Sequence, residues 1–299
     1  MNRLTTDRRI QILKSLTRGR CSMRATAEMA DVSLNTVKKL LADAGRACMA
    51  YHDDVVRGVR SERIQMDEIW SFVYAKQAHV ERAKSAPPEA GDVWTWTAIN
   101  ADNKMLISWM IGPRDMTTAA PFLMDLRERV VGRPQITSDG LSAYPGAVEM
   151  AFGADVDFAQ LIKIYGNEGT EAERRYSPPV CKKTVTKVHQ GSPDPAAINT
   201  SFVERHNLTM RMNMRRFTRL TNAFSKRLEY LACAVALDTV HYNFVRRHKT
   251  LRVTPAQAVG VTELWYDFDW LEAMIEDRTP KPQKPGPKVG TKYRARKSN

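Results

Sequence analysis

Residues 62–165 carry an order of elements that leaves few folds open. In RIQMDEIWSFVYAK, Ile64, Met66, Trp70, Phe72 and Tyr74 share one parity, apolar apart from Glu68, while Asp67 lies on the other with Gln65, Ile69, Ser71 and Val73. Alternation with period two marks a strand. The polar stretch KQAHVERAKSAPPEAGD reads as a loop, and VWTWTAI and KMLISWMIG, joined by the turn-prone NADN, read as a hairpin. TTAAPFLMDLRERVVG predicts a helix with a Thr cap and an early Pro, RPQITSDG a short strand ending in Asp-Gly, SAYPGAVEMAFG a second helix, and VDFAQLIKIY a further strand.

Three antiparallel strands followed by a helical crossover to a new strand predict an α/β fold, a ribonuclease H-like mixed sheet with flanking helices. In that sheet the first and fourth strands lie side by side and parallel, which would set Asp67 beside Asp139 across 72 residues of chain. The catalytic domain is expected over 62–265, with a polar insertion or loop at about 166–198 that includes Cys181 and His189. Helices follow from 199, among them one or more over 226–247 where His241 and His248 read as packing or phosphate-facing residues. A C-terminal helix is expected over 266–279. Residues 280–299 hold seven Lys/Arg, no acid and four Pro, the composition of a disordered basic tail.

Ahead of the sheet, 7–45 reads as three short helices with apolar stripes at Ile10, Ile12, Leu13 and Leu16, then Met23, Ala27 and Ala30, then Val37, Leu40 and Leu41. Ser33 is the expected N-cap of a last helix that stops at Gly45. This all-α arrangement predicts a helix-turn-helix DNA-binding domain over 1–47, joined by a connecting helix over 48–61. Asn35, Thr36, Lys38 and Lys39, at the start of the third helix, are the candidate base readers.

Charge points the same way. With 46 Lys+Arg against 33 Asp+Glu the net charge is +13, which suits a nucleic-acid partner. Between Arg205 and Arg252 there are eleven Lys/Arg and only two acids, Glu229 and Asp238, so the charge is a patch. Binding through such a patch depends on salt. The four cysteines are far apart, with no C-x-x-C pair, which argues against a zinc site or a disulfide framework. The N-terminus has no apolar signal region and no stretch is long enough for a membrane span. A cytoplasmic, nucleoid-associated protein is expected.

Three acids stand out: Asp67 in MDEIWSFV, Asp139 in ITSDGLSAY and Glu204 in SFVERHNLTMR. Hydrolysing a phosphodiester or joining DNA through a 3′-hydroxyl requires an activated attacking oxygen and a stabilised leaving one. Two Mg²⁺ ions, or Mn²⁺ in their place, do both, and hard cations take carboxylate ligands. Each acid has a plainer role open to it: Asp67 a strand-edge charge, Asp139 the Asp of a turn, Glu204 half of a capping box with Ser201. Glu68, on the apolar parity, ranks behind Asp67. At 100° per residue Glu204, Leu208, Arg211 and Arg215 form one helical stripe, and Val203, Met210, Met214 and Phe217 another. Arg211 is thus a candidate phosphate ligand on the carboxylate's side.

DEIW at 67–70, GDVWTWTAINADNK at 91–104, SDG at 138–140 and ERHNLTMRMNMRRFTRLTNAFSK at 204–226 resemble the DDE transposases of bacterial insertion sequences, most closely the family of insertion sequence one. The likeness spans about residues 1–265. It implies a catalytic and metal-binding triad of Asp67, Asp139 and Glu204, with His206, Asn207 and Arg211 in the same motif and Arg215 beyond it on the DNA side. It implies recognition of terminal inverted repeats, 3′-end cleavage and strand transfer into target DNA, and a homodimer or higher oligomer on DNA. A catalytically inactive regulator and a nuclease without strand transfer are the alternatives. Two departures stand: the cysteines cannot supply the zinc-finger-like segment of many relatives, and the 65 residues from Asp139 to Glu204 exceed the usual interval.

Overall fold

A computed structural model describes residues 4–166, 181–218 and 222–280. The basic tail beyond Pro280 and the middle of the expected insertion lie outside the described residues.

Three helices open the chain: α1 (Thr6–Thr17), α2 (Met23–Met29) and α3 (Leu34–Val55). Each begins on a hydroxyl that accepts from a free backbone amide, Thr5 from Arg8 N, Ser22 from Ala25 N and Ser33 from Thr36 N. Ile12, Ala27, Ala30, Val37 and Leu40 close a small core among them.

The third helix departs from the expectation of a stop at Gly45 and a separate connecting helix over 48–61. It runs unbroken for 22 residues, to Val55. Gly45 serves a different purpose. A Cβ placed there would lie 2.3 Å from Cys233 Cβ and 2.4 Å from Cys233 Cα, so the glycine lets two helix backbones touch. Ile10, Leu13, Leu41 and Ala44 belong to the main core of the sheet, and Arg9 reaches Glu272 and Glu276 at 2.9 Å. The N-terminal helices are therefore packed into the body of the molecule.

The central sheet has six strands, β2 (Arg63–Val73), β3 (Gly91–Asn100), β4 (Leu106–Gly112), β6 (Gln135–Ser138), β7 (Asp157–Tyr165) and β8 (Cys181–Gln190), in the order β4-β3-β2-β6-β7-β8. β1 (Val59–Arg60) and β5 (Val130–Val131) form a short parallel ladder apart from it. β2 is antiparallel to β3 and parallel to β6, so the first and fourth strands of the expected series are neighbours. This mixed sheet with flanking helices is consistent with a ribonuclease H-like fold. The NADN turn closes as expected, with Asn100 Oδ1 accepting from Asp102 N and Asn103 N.

Helices α4 (Met116–Arg129) and α5 (Ala143–Phe152) cover one face of the sheet, where Trp96, Phe122 and Tyr144 are fully buried. The cap of α4 is Asp115 rather than a threonine. On the other face, α6 (Ser201–Asn213) and α7 (Leu228–Val240) bury Met210, Leu231 and Val235 against Ile69, Val73 and Val93. A π-helical turn (His241–Val245), a short α8 (Pro255–Ala258) and α9 (Phe268–Arg278) complete the chain. His241 is 2 % exposed and packs on Phe268, a core residue.

The region expected as loop or insertion at 166–198 contains β8, which pairs antiparallel with β7 from Phe158–Gln190 out to Tyr165–Cys181. Its side chains are mostly exposed, so no buried face imposes an apolar alternation that could have been read. No helix among the described residues is long and apolar enough to cross a membrane.

Replacing Gly45 by Ala sets two effects against each other. Helix propensity favours Ala by about 1 kcal/mol, whereas overpacking costs about 1–3 kcal/mol and here meets backbone that cannot swing aside. Gly45→Ala is expected to lower the urea midpoint of unfolding; an unchanged or raised midpoint would show that α3 and α7 are not in contact at this point.

Candidate active site

The β2–β6 ladder pairs Gln65 with Thr137 and Met66 with Ser138, so the next residue of each strand, Asp67 and Asp139, falls at the same level. Carboxylate oxygens of Asp67, Glu68 and Asp139 all lie within 4.8 Å of one another. Glu204 enters from the first turn of α6, and Asp67, Asp139 and Glu204 line one cleft of about 600 Å³ together with Arg114, Lys163 and Thr200. The three acids singled out in the sequence thus line one cleft, although they come from three separate segments, with Glu204 outside the group of carboxylates that lie within 4.8 Å.

The capping box expected of Ser201 and Glu204 does not form. Thr200 is the N-cap residue, and the first free amides of α6 are satisfied from outside the helix: Gln65 Oε1 accepts from Phe202 N at 2.8 Å and from Val203 N at 3.1 Å. Gln65 Nε2 donates to Asn199 Oδ1 at 2.6 Å. Gln65 is 2 % exposed and two residues from Asp67 on the same parity of β2, so one side chain ties the Glu204 helix to the Asp67 strand. Glu204 is left free of capping; its carboxylate accepts from Thr200 Oγ1 at 2.5 Å and pairs with Lys163.

Asp67 receives a hydrogen bond from Asn207 Nδ2 at 2.8 Å, and Asn207 Oδ1 lies 3.1 Å from the Thr97 hydroxyl on β3. Burial, then the nearby charges of Asp139 and Glu204, outweigh that bond and push the Asp67 carboxyl up to about 6. Glu68 points to the opposite face, where its side chain is 1 % exposed. There the Tyr144 hydroxyl donates to it and Arg114 Nε donates at 2.9 Å. Burial again dominates, followed by Asp139, and raises Glu68 to about 7. The second amine of Arg114 donates to Asp139 Oδ2 at 2.9 Å, so one guanidinium bridges Glu68 and Asp139. Asp139 Oδ1 accepts from Leu141 N at 3.0 Å.

The loop that carries Asp139 is held from below. Gln160 Nε2 donates to Asp139 O at 2.7 Å and to Leu141 O at 2.9 Å, while His189 Nε2 lies 2.9 Å from Gln160 Oε1. His189, unexplained by the sequence, is thus a prop for this loop. Gln65, Arg114, Tyr144, Lys163 and Gln160 were all missed. Tyr144 closes the ITSDGLSAY motif but nothing there marks its role, and for the others only the shared parity of Gln65 with Asp67 is a readable signal.

Among the residues expected to face DNA, Asn35 and Lys39 are exposed, Thr36 is half-buried and hydrogen-bonded to Ser33, and Lys38 is half-buried in a different cleft. Arg211 is half-buried on α6, and Arg215 is exposed in a 3₁₀ turn past the end of α6, not on the Glu204 stripe. His206 and Asn207 require correction. Both are buried, at 4 % and 3 % exposure, because the helix turns them toward the sheet. His206 packs edge-on against Tyr242, and burial holds its pKa down at about 3, so it is a neutral packing residue. Asn207 orients Asp67 and does not reach the surface.

Four carboxylates, Asp67, Glu68, Asp139 and Glu204, stand against two cations, Arg114 and Lys163. Carboxylates gathered around one cleft are an all-oxygen donor set of the kind a hard divalent cation takes, and Asp67, Glu68 and Asp139, with Glu204 at the same cleft, are the residues that could hold one.

No protein-family model matches the chain, and no curated protein is significantly similar to it. Among solved structures, a piggyBac transposase synaptic complex with hairpin DNA is similar at 11% identity and a TM-score of 0.36, over 94% of this chain and 76% of that one. A likeness that slight carries no argument about this chain.

Gln65→Leu removes both acceptor contacts to α6 and is expected to cost about 1–2 kcal/mol in chemical unfolding. Gln65→Glu keeps an acceptor at the helix start and recovers most of that; equal loss in both variants would rule the capping role out. A second test uses pH. Asp67 and Glu68 keep their protons to higher pH in the folded chain than in the unfolded one, which favours the folded state below about pH 4. That advantage is lost as pH rises through about 6 and 7. In chelator, Asp67→Asn is therefore expected to melt higher than the unaltered chain at pH 7.5, with the gap closing at pH 4.5.

Proposed function

We propose that the chain is a DNA transposase of the DDE type, which cuts the 3′ ends of an insertion element and transfers them to target DNA. The observation that carries this reading is the meeting of Asp67, Asp139 and Glu204 at one cleft of a chain with net charge +13. The sequence resemblance to the insertion sequence one family supports it.

Asp67 and Asp139 would hold divalent metal, with Glu204 completing the set from α6. Bound there, a pair of Mg²⁺ ions supplies activation of the attacking oxygen and stabilisation of the leaving one. The protein's own contribution is placement. The β2–β6 ladder sets the height of the two aspartates, Asn207 turns the Asp67 carboxylate, and Gln65 keeps α6 against β2. Arg114 and Lys163 lie at the cleft within reach of a backbone phosphate, and Arg offers a paired grip on its oxygens. The exposed start of α3, with Asn35 and Lys39, is the surface for reading the element's ends as the second half of a helix-turn-helix. Two ends must be held together, so the working form on DNA is a dimer or larger.

Glu204→Gln tests this directly, since Gln65 rather than Glu204 caps the helix. The variant is expected to fold and to bind DNA fragments that carry the inverted repeats bordering its own gene. Cleavage of those fragments in Mg²⁺ or Mn²⁺ should fall more than about 100-fold, beyond the roughly 10–100-fold cost of disturbing a group that only orients a ligand. Cleavage close to that of the unaltered protein would reject Glu204 as a metal ligand. Cut ends with no joined product would make the chain a nuclease, and binding without any metal-dependent cut a regulator.

A further inference from the structure

A second cleft, of about 610 Å³, opens between the N-terminal helices and the far end of α6. Its walls are apolar, with Leu16, Leu34, Leu41 and Leu237 among them. Five cations line it as well: Arg24 on α2, Lys38 on α3, Arg215 and Arg216 in the turn after α6, and Lys226 before α7. Arg24, Arg215 and Lys226 are exposed, so this end of the cleft faces solvent with positive charge.

One acid also lines it, and it is buried. Asp238 shares a face of α7 with Ala234 and Leu237, is 5 % exposed, and its Oδ1 has no hydrogen-bond partner among the described residues. A buried acceptor left unused costs folding free energy, so a group that supplies a donor to it has a place waiting. Burial lifts the Asp238 carboxyl to about 7, near the point where a donor partner decides its charge.

The occupant must therefore be anionic where it meets the rim, flat or apolar where it meets the leucines, and a hydrogen-bond donor at its inner end. A fatty chain supplies the first two features and nothing for Asp238. A nucleotide supplies all three: phosphate at the cations, a planar base between the apolar walls, and an amino group for the carboxylate. Asp and Glu accept from base amino groups in this way. We infer that this cleft takes a single unpaired DNA base bearing an amino group, turned out of the duplex, with its flanking phosphates on Arg24, Lys38 and Arg215. The inference rests on the reading of the chain as a DNA-binding enzyme. The cleft lies beyond the opposite end of α6 from Glu204, with Met214 ten residues on, a rise of roughly 15 Å. A base held there is about four to five steps along a strand from the site of cutting.

The probes are 20-base-pair duplexes, fully paired or with one unpaired A, C or abasic unit, titrated with the full chain by fluorescence anisotropy at fixed salt. The unpaired A or C duplex is expected to bind at least about 10-fold more tightly than the abasic one, the least that one added hydrogen bond with stacking supplies. Asp238→Leu is expected to shrink that difference by about 5–10-fold, the share of the hydrogen bond, without lowering the Tm, because it replaces a carboxyl that lacks a partner with an apolar group. Arg24→Ala, on the exposed rim, provides a variant whose folding is not at issue and should weaken the unpaired-base duplex more than the paired one. Equal affinity for A, C and abasic duplexes, or a preference that Asp238→Leu leaves at full size, overturns the pocket. Saturation by free dAMP or dCMP at micromolar concentration would also overturn it, assigning the cleft to a mononucleotide instead of a strand. If paired duplex binds and is cut with no base preference, only the pocket fails; if no DNA binds at all, the transposase reading fails with it.

Discussion

The parallel ladder between β2 and β6 is the constraint from which the rest of the site follows. Because Met66 pairs with Ser138, Asp67 and Asp139 leave their strands at the same height, and no other pairing register would set them together. β6 is only four residues long, so Asp139 emerges at the strand's end and can sit close to both Asp67 and Glu68, which point to opposite faces. A longer fourth strand would have committed Asp139 to one face.

The third acid reaches the cleft by a different device. Helix α6 is not held in place by a cap of its own; Gln65 and Asn207 pin it, one from the strand to the helix start and the other from the helix back to the strand acid. Both are neutral amides, able to donate and accept, and so they can link backbone amide and carboxylate without adding to a crowd of negative charge. The cations Arg114 and Lys163 balance that crowd in part. Burial, followed by the charge of Asp139, still raises Asp67 and Glu68 above the ordinary carboxylate range.

The N-terminal helices are joined to this framework and do not hang from it. Gly45 lets α3 lie against α7 at backbone contact, and Arg9 pairs with acids of α9. The exposed start of α3, where the proposed DNA-reading residues lie, is thus joined by packing to the body that carries the acidic cleft. The cation-lined second cleft lies at the seam between the two, along the helix that carries Glu204.

Local pattern was enough to announce most strands and helices, since period two and period 3.6 are written into consecutive residues. The β2 alternation, the Asn-rich turn, the Asp-Gly end of β6 and the Ser33 cap of α3 were legible for that reason. So was the trio of acids, through the motifs that hold them. Pattern misled where one residue type serves two ends. Gly45 suits a helix stop and a helix contact equally, and Ser201 with Glu204 has the letters of a capping box. His206 and Asn207 sit in a polar motif that says nothing of which way the helix faces. β8 stayed hidden because an exposed strand needs no apolar alternation. Sequence by itself determined the elements, their order and the candidate acids, because those depend on neighbours in the chain. Only the tertiary structure decided that Gln65 caps α6, that Arg114 bridges Glu68 and Asp139, and that Asp238 lines a cationic cleft, because each depends on partners brought by folding from as far as 222 residues away, the separation of Leu16 and Asp238.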